Sequence, residues 1–156
     1  MYLFRVVYYS RNRIKDAGLS PTKEIKGIAA SCARNNPSAG ITGALIFNDH
    51  YFAQVLEGDR KQVSTALWRI AKDPRHSDPI LLMGEAVTER RFPIWSMAFA
   101  GHSEAIDRLY LRYGIAVGLD PARMSAPSLV GLIDDLVKTE TRVMHTPIEQ
   151  RVAVAV

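Results

Sequence analysis

The sequence predicts an α+β fold, with two helices on one face of an antiparallel or mixed sheet. Three observations carry that expectation. Residues 2–9 alternate with the period of a strand: Tyr2, Phe4, Val6 and Tyr8 share one face, and Leu3, Arg5, Val7 and Tyr9 the other. Ile25, Ile28, Ala29 and Cys32 then recur at helical spacing. Two further apolar runs, 44–47 and 52–57, flank Asn48-Asp49-His50, whose turn chemistry folds them into a hairpin.

Each element follows from its residues. The first strand is apolar on both faces and so belongs inside the sheet. Ser10 to Ser20 reads as a polar connection. Ser20 is an N-cap with Pro21 at the first helical position. Positions 28, 32 and 36 lie in one row, so Asn36 ends the stripe that faces the sheet, and Pro37 stops the helix. On the third strand Phe52, Gln54 and Leu56 point one way, Ala53 and Val55 the other. Asp59 caps a second helix, whose apolar face is Val63, Ala66, Leu67, Ile70 and Ala71. Asp73-Pro74 ends it. Residues 80–87 form a fourth strand and 95–99 a fifth, with Trp95, Met97 and Phe99 on one face.

The order β-α-β-β-α-β plus one strand is the ferredoxin-like arrangement. A cleft between the two helices, floored by the sheet, is its natural ligand site. After Gly101, residues 103–118 and 128–139 read as two short helices, the second with Leu129, Leu132, Ile133, Leu136 and Val137 on its apolar face. Such helices do not fold alone. They are expected on the open face of the sheet or at an oligomer interface. The expected organisation is a domain over 1–101, a helical segment over 102–145 and a disordered tail over 146–156.

Composition narrows the function classes. A chain of 156 residues is one domain with at most an appendage. The net charge of +4 is spread along the chain, without the basic clustering of a nucleic-acid surface. No apolar stretch nears the roughly 18 residues of a membrane span, and Met1-Tyr2-Leu3-Phe4-Arg5 starts as a strand and not as a leader. A cytoplasmic protein is expected. Cys32 is the single cysteine, which excludes an internal disulfide. His50, His76, His102 and His145 lack metal-ligand spacing. There is no phosphate loop, dinucleotide glycine fingerprint or nucleophile elbow.

Three polar residues stand in frames that otherwise read as core: Tyr8, Asn36 and Gln54. Taken singly, Tyr8 is a strand tyrosine, Asn36 a helix stop, Trp95 and Met97 are core, and His76 and the pair Arg90-Arg91 are surface. Gln54 is harder to dismiss, because a buried amide needs partners. Together, a phenol and two amides can grip one polar planar ligand and relay a proton or an electron.

These residues sit in frames that resemble the BLUF family, blue-light sensors that bind flavin. The frames are Arg5-Val6-Val7-Tyr8-Tyr9-Ser10, Arg34-Asn35-Asn36-Pro37 with Gly40-Ile41-Thr42-Gly43, and Phe52-Ala53-Gln54-Val55-Leu56-Glu57-Gly58. Asp73-Pro74-Arg75-His76 follows, then Arg90-Arg91-Phe92 with Trp95-Ser96-Met97. The resemblance covers residues 2–100. It implies a flavin, FAD with FMN as the variant, held between the two helices. Asn36 would bond the polar edge of the ring, and Gln54 would sit between that edge and Tyr8. Ile28 and Cys32 would lie along the ring, and Asp73, Arg75 and His76 by its far end and the ribityl chain. The resemblance also implies a non-enzymatic mechanism in which Tyr8 gives up an electron and a proton and the Gln54 amide ends rotated or tautomerised, with a stronger hydrogen bond to the flavin carbonyl. Trp95 and Met97 would exchange proximity to Gln54. Output would act in trans, on a cyclic-dinucleotide phosphodiesterase, a nucleotide cyclase or a transcription regulator, from a homo-oligomer.

Two other readings compete. An acylphosphatase-type hydrolase needs an anion-binding loop with Arg and Asn, but Arg34 and Asn35 end a helix. A sheet-face binding module needs exposed stacking aromatics on central strands.

Overall fold

The computed structural model describes residues 2–139 and 144–146. Its elements are β1 (Leu3–Asn12), α1 (Pro21–Asn35), β2 (Thr42–Phe47), β3 (Tyr51–Asp59), α2 (Arg60–Ala71), β4 (His76–Ala86), β5 (Trp95–Phe99), α3 (Glu104–Arg112), a 3-10 turn at Pro121–Arg123, α4 (Ala126–Thr139) and β6 (Met144–Thr146). The sheet runs β4-β1-β3-β2-β5-β6. Its first four strands are antiparallel in the ferredoxin-like order, and β5 joins β2 in parallel. The fold is α+β, as the sequence predicts.

The caps hold as read. Ser20 accepts a hydrogen bond from the Lys23 amide at 3.4 Å, and Asp59 from the Lys61 amide at 3.1 Å. Gly43 has φ +150, and a Cβ there would stand 1.9 Å from the Val55 carbonyl oxygen, so strand contact itself demands glycine.

Three boundaries differ from the sequence reading. β1 continues to Asn12, because Arg11 still pairs with Tyr51 and Ser77. β4 starts at His76 and not at Ile80. A bulge intervenes, with Asp78 at φ 53 followed by Pro79, which has no N–H to give the ladder. β6, which pairs with β5, falls where the reading had the end of the helical segment and the start of the tail. Residues 147–156 of the expected tail lie outside the described residues.

The sheet separates two apolar clusters. Val6, Tyr8, Leu45, Phe52, Leu56, Trp95 and Met97 face α1 and α2. Val7, Ala44, Ile46, Ala53, Val55 and Ala98 face α3 and α4. Of the two places expected for the C-terminal helices, they take the open sheet face. α4 buries Leu129, Val130, Leu132, Ile133, Leu136 and Val137 there. By contrast α1 has no fully buried residue; Ile25, Ile28, Ala29 and Cys32 are half-buried.

Candidate functional site

The half-buried face of α1 borders a cleft that α2 closes on the other side and the sheet floors. Its volume is about 120 Å³, some tenfold the roughly 10–15 Å³ that lodges one water. It is therefore sized for a ligand. Ile28, Ser31, Cys32 and Asn36 come from α1 and its end, Leu45, Phe52, Gln54 and Tyr8 from the sheet, Arg69 and Ile70 from α2, and Asp73, Arg75 and His76 from the turn into β4.

Sheet register sets the floor. Tyr8 stands opposite Gln54, Gln54 opposite Leu45 and Leu45 opposite Met97, so one row crosses β1, β3, β2 and β5. The Tyr8 hydroxyl donates to Gln54 Oε1. Both residues are buried, at 3% exposure. Gln54 Nε2 makes no hydrogen bond to the described residues and opens on the cleft. A donor that the cleft reaches and no described protein group engages marks the place where a ligand acceptor belongs.

Electrostatics keep the floor neutral. Burial first, then the neighbouring Cys32 and Asp73, drive the Tyr8 phenol far above its usual range, so it stays protonated at any working pH. Burial also pushes the Cys32 thiol up to about 11, against the opposing pull of Arg69 and Arg75. It is an uncharged wall and not a reactive thiolate.

Asn36 caps α1. Its amide donates to the Cys32 carbonyl at 3.0 Å and its carbonyl accepts from the Ile41 amide at 2.9 Å. The carboxamide, 5% exposed, borders the cleft and hydrogen-bonds the Cys32 side chain. Asp73 and Arg75 form a fork. Arg75 Nε lies 2.9 and 3.0 Å from the two carboxylate oxygens, and Nη2 2.5 Å from Oδ2. Burial works to raise the Asp73 pKa, but these bonds and the guanidinium charge outweigh it and hold the carboxyl below its ordinary range. Arg75 also reaches the Glu24 carbonyl of α1 at 3.4 Å, tying the helix across the cleft mouth.

His76 is a wall residue, only 8% exposed, and not the surface residue its single-position reading gives. Its Nε2 donates to the Ile70 carbonyl at 2.5 Å. A carbonyl only accepts, so Nε2 carries a hydrogen there, while Nδ1 lies 2.7 Å from the Ser10 hydroxyl.

The cleft thus gathers Tyr8, Ile28, Cys32, Asn36, Gln54, Asp73, Arg75 and His76. Trp95 and Met97 do not line it. They are buried in the apolar cluster that holds Tyr8, Met97 in the row of Gln54 and Trp95 opposite Gly43. The sequence reading passed over Leu45, Phe52, Ser31, Arg69 and Ile70 as site residues. Leu45 and Phe52 share the face of Gln54, a signal available once the hairpin register is drawn; Arg69 carries none. Flat apolar walls with polar groups along the edge fit a planar heteroaromatic ring such as isoalloxazine.

Comparison with known proteins agrees with this geometry. The family model described as "Sensors of blue-light using FAD" matches residues 3–98. The chain is 35% identical over 82 residues to the blue light- and temperature-regulated antirepressor BluF of Escherichia coli (strain K12), a match covering 53% of this chain and 20% of that protein. It is 30% identical over 78 residues to photoactivated adenylate cyclase subunit beta of Euglena longa, covering 49% of this chain and 9% of that protein. Among solved structures, the BlsA ground state superposes with a TM-score of 0.75 at 25% identity, covering 94% of this chain and 92% of that one. The dark state of BlrB, described as a BLUF protein, superposes with a TM-score of 0.68 at 28% identity, covering 87% and 95%.

Proposed function

This chain belongs to the BLUF family of blue-light sensors using FAD, and on that premise we propose that Tyr8 and Gln54 are its photoactive pair and that its output passes to a separate effector protein. The observation that carries the reading is the buried Tyr8–Gln54 bond, with the other end of the amide open to the cleft.

A flavin held in the cleft would supply the blue-light absorption and an electron acceptor for Tyr8. The chain does the rest. Tyr8, held protonated by burial, gives its proton to Gln54 Oε1 only when it also loses an electron. Return of the charges would leave the amide rotated or tautomerised, with a hydrogen of Gln54 available to a flavin carbonyl. A carboxamide has a donor end and an acceptor end, so reversal changes every bond it makes. Each mismatch in a dry site costs about 1–3 kcal/mol. Moving a two-state population from mostly off to mostly on takes roughly 5.5 kcal/mol, so several contacts change together. Met97, in the row of Gln54, and Trp95, one row along, are the followers proposed.

Asn36 would hold the polar edge of the ring, Ile28 and Cys32 its flank, and Asp73, Arg75 and His76 its far end. Arg69 and Lys72, at the mouth beside Asp73 and Pro74, offer cations to a phosphate-bearing tail, which FAD and FMN both carry. Proteins similar to this chain over part of their length are a light-regulated adenylyl cyclase, an antirepressor and a protein solved with FMN and cyclic diGMP. This chain would act on such a partner in trans from the cytoplasm, with residues 102–145 as output and self-association segment and no catalysis of its own.

The test is an absorption spectrum of the purified flavin-bound protein before and after blue light. A small reversible red shift is expected in the native protein and none in Tyr8→Phe. A shift that survives in Tyr8→Phe removes Tyr8 from this role.

A further inference from the structure

Arg90, Arg91 and Phe92 lie away from the cleft; Arg91 is exposed, as the sequence reading of the basic pair has it, but Arg90 is half-buried and Phe92 is buried. Glu57, fully buried, explains why. It stands three residues beyond Gln54 on β3, on the opposite sheet face. Its carboxylate accepts from Arg5 Nε at 2.8 Å and from the backbone amides of Arg91 and Phe92 at 3.1 and 2.6 Å. The loop between β4 and β5 is thereby pinned to β3.

The three loop side chains then hold three different bodies. Arg90, half-buried, donates to the Gly40 carbonyl at 2.8 Å, to Thr42 Oγ1 at 2.6 Å and to the Glu57 carbonyl at 2.9 Å. Gly40 belongs to the loop that leaves Asn36, on the cleft side. Arg91 Nε reaches Asp134 of α4 at 3.1 Å. Phe92 is buried in the cluster beneath α4. A displacement of β3 or of the loop after Asn36 therefore pulls on α4 unless one of these bonds breaks. The charge-assisted buried bonds are the strong members. The Arg91–Asp134 pair, 44% and 13% exposed, is the weak joint, and such a pair adds little to stability.

We propose that residues 90–92 couple the cleft to α4, with Arg91 as the positioning residue that passes the displacement on. This rests on the reading above only for light as the trigger; the coupling itself is a property of the fold.

The experiment is amide hydrogen exchange over residues 126–139 in the flavin-bound protein. It compares native protein, Gln54→Leu, Arg91→Ala and the double variant in the dark, and native protein and Arg91→Ala under blue light. Gln54→Leu is expected to change α4 exchange, and Arg91→Ala to shrink that change by about threefold, the scale of one exposed ion pair. Arg91→Lys should restore it. Lys138→Ala, which removes the other partner of Asp134, at 3.1 Å, should leave it intact. The light-minus-dark difference should shrink in the same way while the red shift persists in Arg91→Ala. Equal changes with and without Arg91, or no response of α4 to Gln54→Leu, would overturn the coupling. Absence of a red shift in the native protein would instead sink the light-sensor reading, and the dark comparison would still decide this one.

Discussion

The two faces of one sheet are built to different rules. β3 supplies both: Phe52, Gln54 and Leu56 turn to α1 and α2, and Ala53, Val55 and Glu57 to α3 and α4. On the second face α4 buries seven residues between Leu129 and Val137, and even Gly131 is covered, packed under Tyr113. On the first, α1 buries nothing completely and is tied down by its caps, by the 36–41 turn and by Arg75. The contrast teaches where stability and responsiveness are kept. Close-packed apolar contact holds the sheet from one side, which leaves the other free to carry a polar slot whose bonds can be exchanged.

The largest expected effect breaks the packed face. Leu132→Ala, at a fully buried site, should cost about 3 kcal/mol in denaturant unfolding, whereas Ile28→Ala on α1 should cost well under half of that. Equal losses would erase the distinction between the faces. Next is Glu57→Gln, which removes the charge that Arg5 and two loop amides share. About 2 kcal/mol is expected, with the ring site itself intact, as read by flavin titration. Asn36→Ala should do the reverse. It should weaken flavin binding about tenfold, the worth of one good hydrogen bond, with a smaller effect on unfolding.

The smallest effect is a pH dependence. Cys32 has a folded pKa of about 11 against an ordinary 9.0, so over that interval the folded state binds more protons than the unfolded one. The stability this thiol contributes is present below 9.0 and is lost as pH rises toward 11. Unfolding curves in Cys32→Ser should fall less steeply than native over that range. Identical slopes would place the thiol in solvent.

What the sequence made legible was local. Strand alternation put Gln54 on the face of Phe52, and helical spacing put Ile28, Cys32 and Asn36 in one row. Both patterns survive because the cleft is bounded by regular elements. What stayed hidden depends on pairing between distant segments. His76 reads as loop because Asp78-Pro79 interrupts its strand, and only the ladder to Asn12 shows it to be sheet. Arg90 reads as a surface charge and nothing marks Glu57 as buried, since nothing nearby in sequence announces the partners 33–52 residues away. β6 is too short to carry a period.

The central claim is that one reorientable carboxamide, Gln54, connects the Tyr8 phenol to the ligand. A light-minus-dark infrared difference spectrum of the flavin-bound protein reads it directly. In the native protein a flavin carbonyl stretch should move to lower frequency under light, as the bond from Gln54 strengthens, and in Gln54→Leu that shift should vanish. A carbonyl shift of native size in Gln54→Leu would contradict the account.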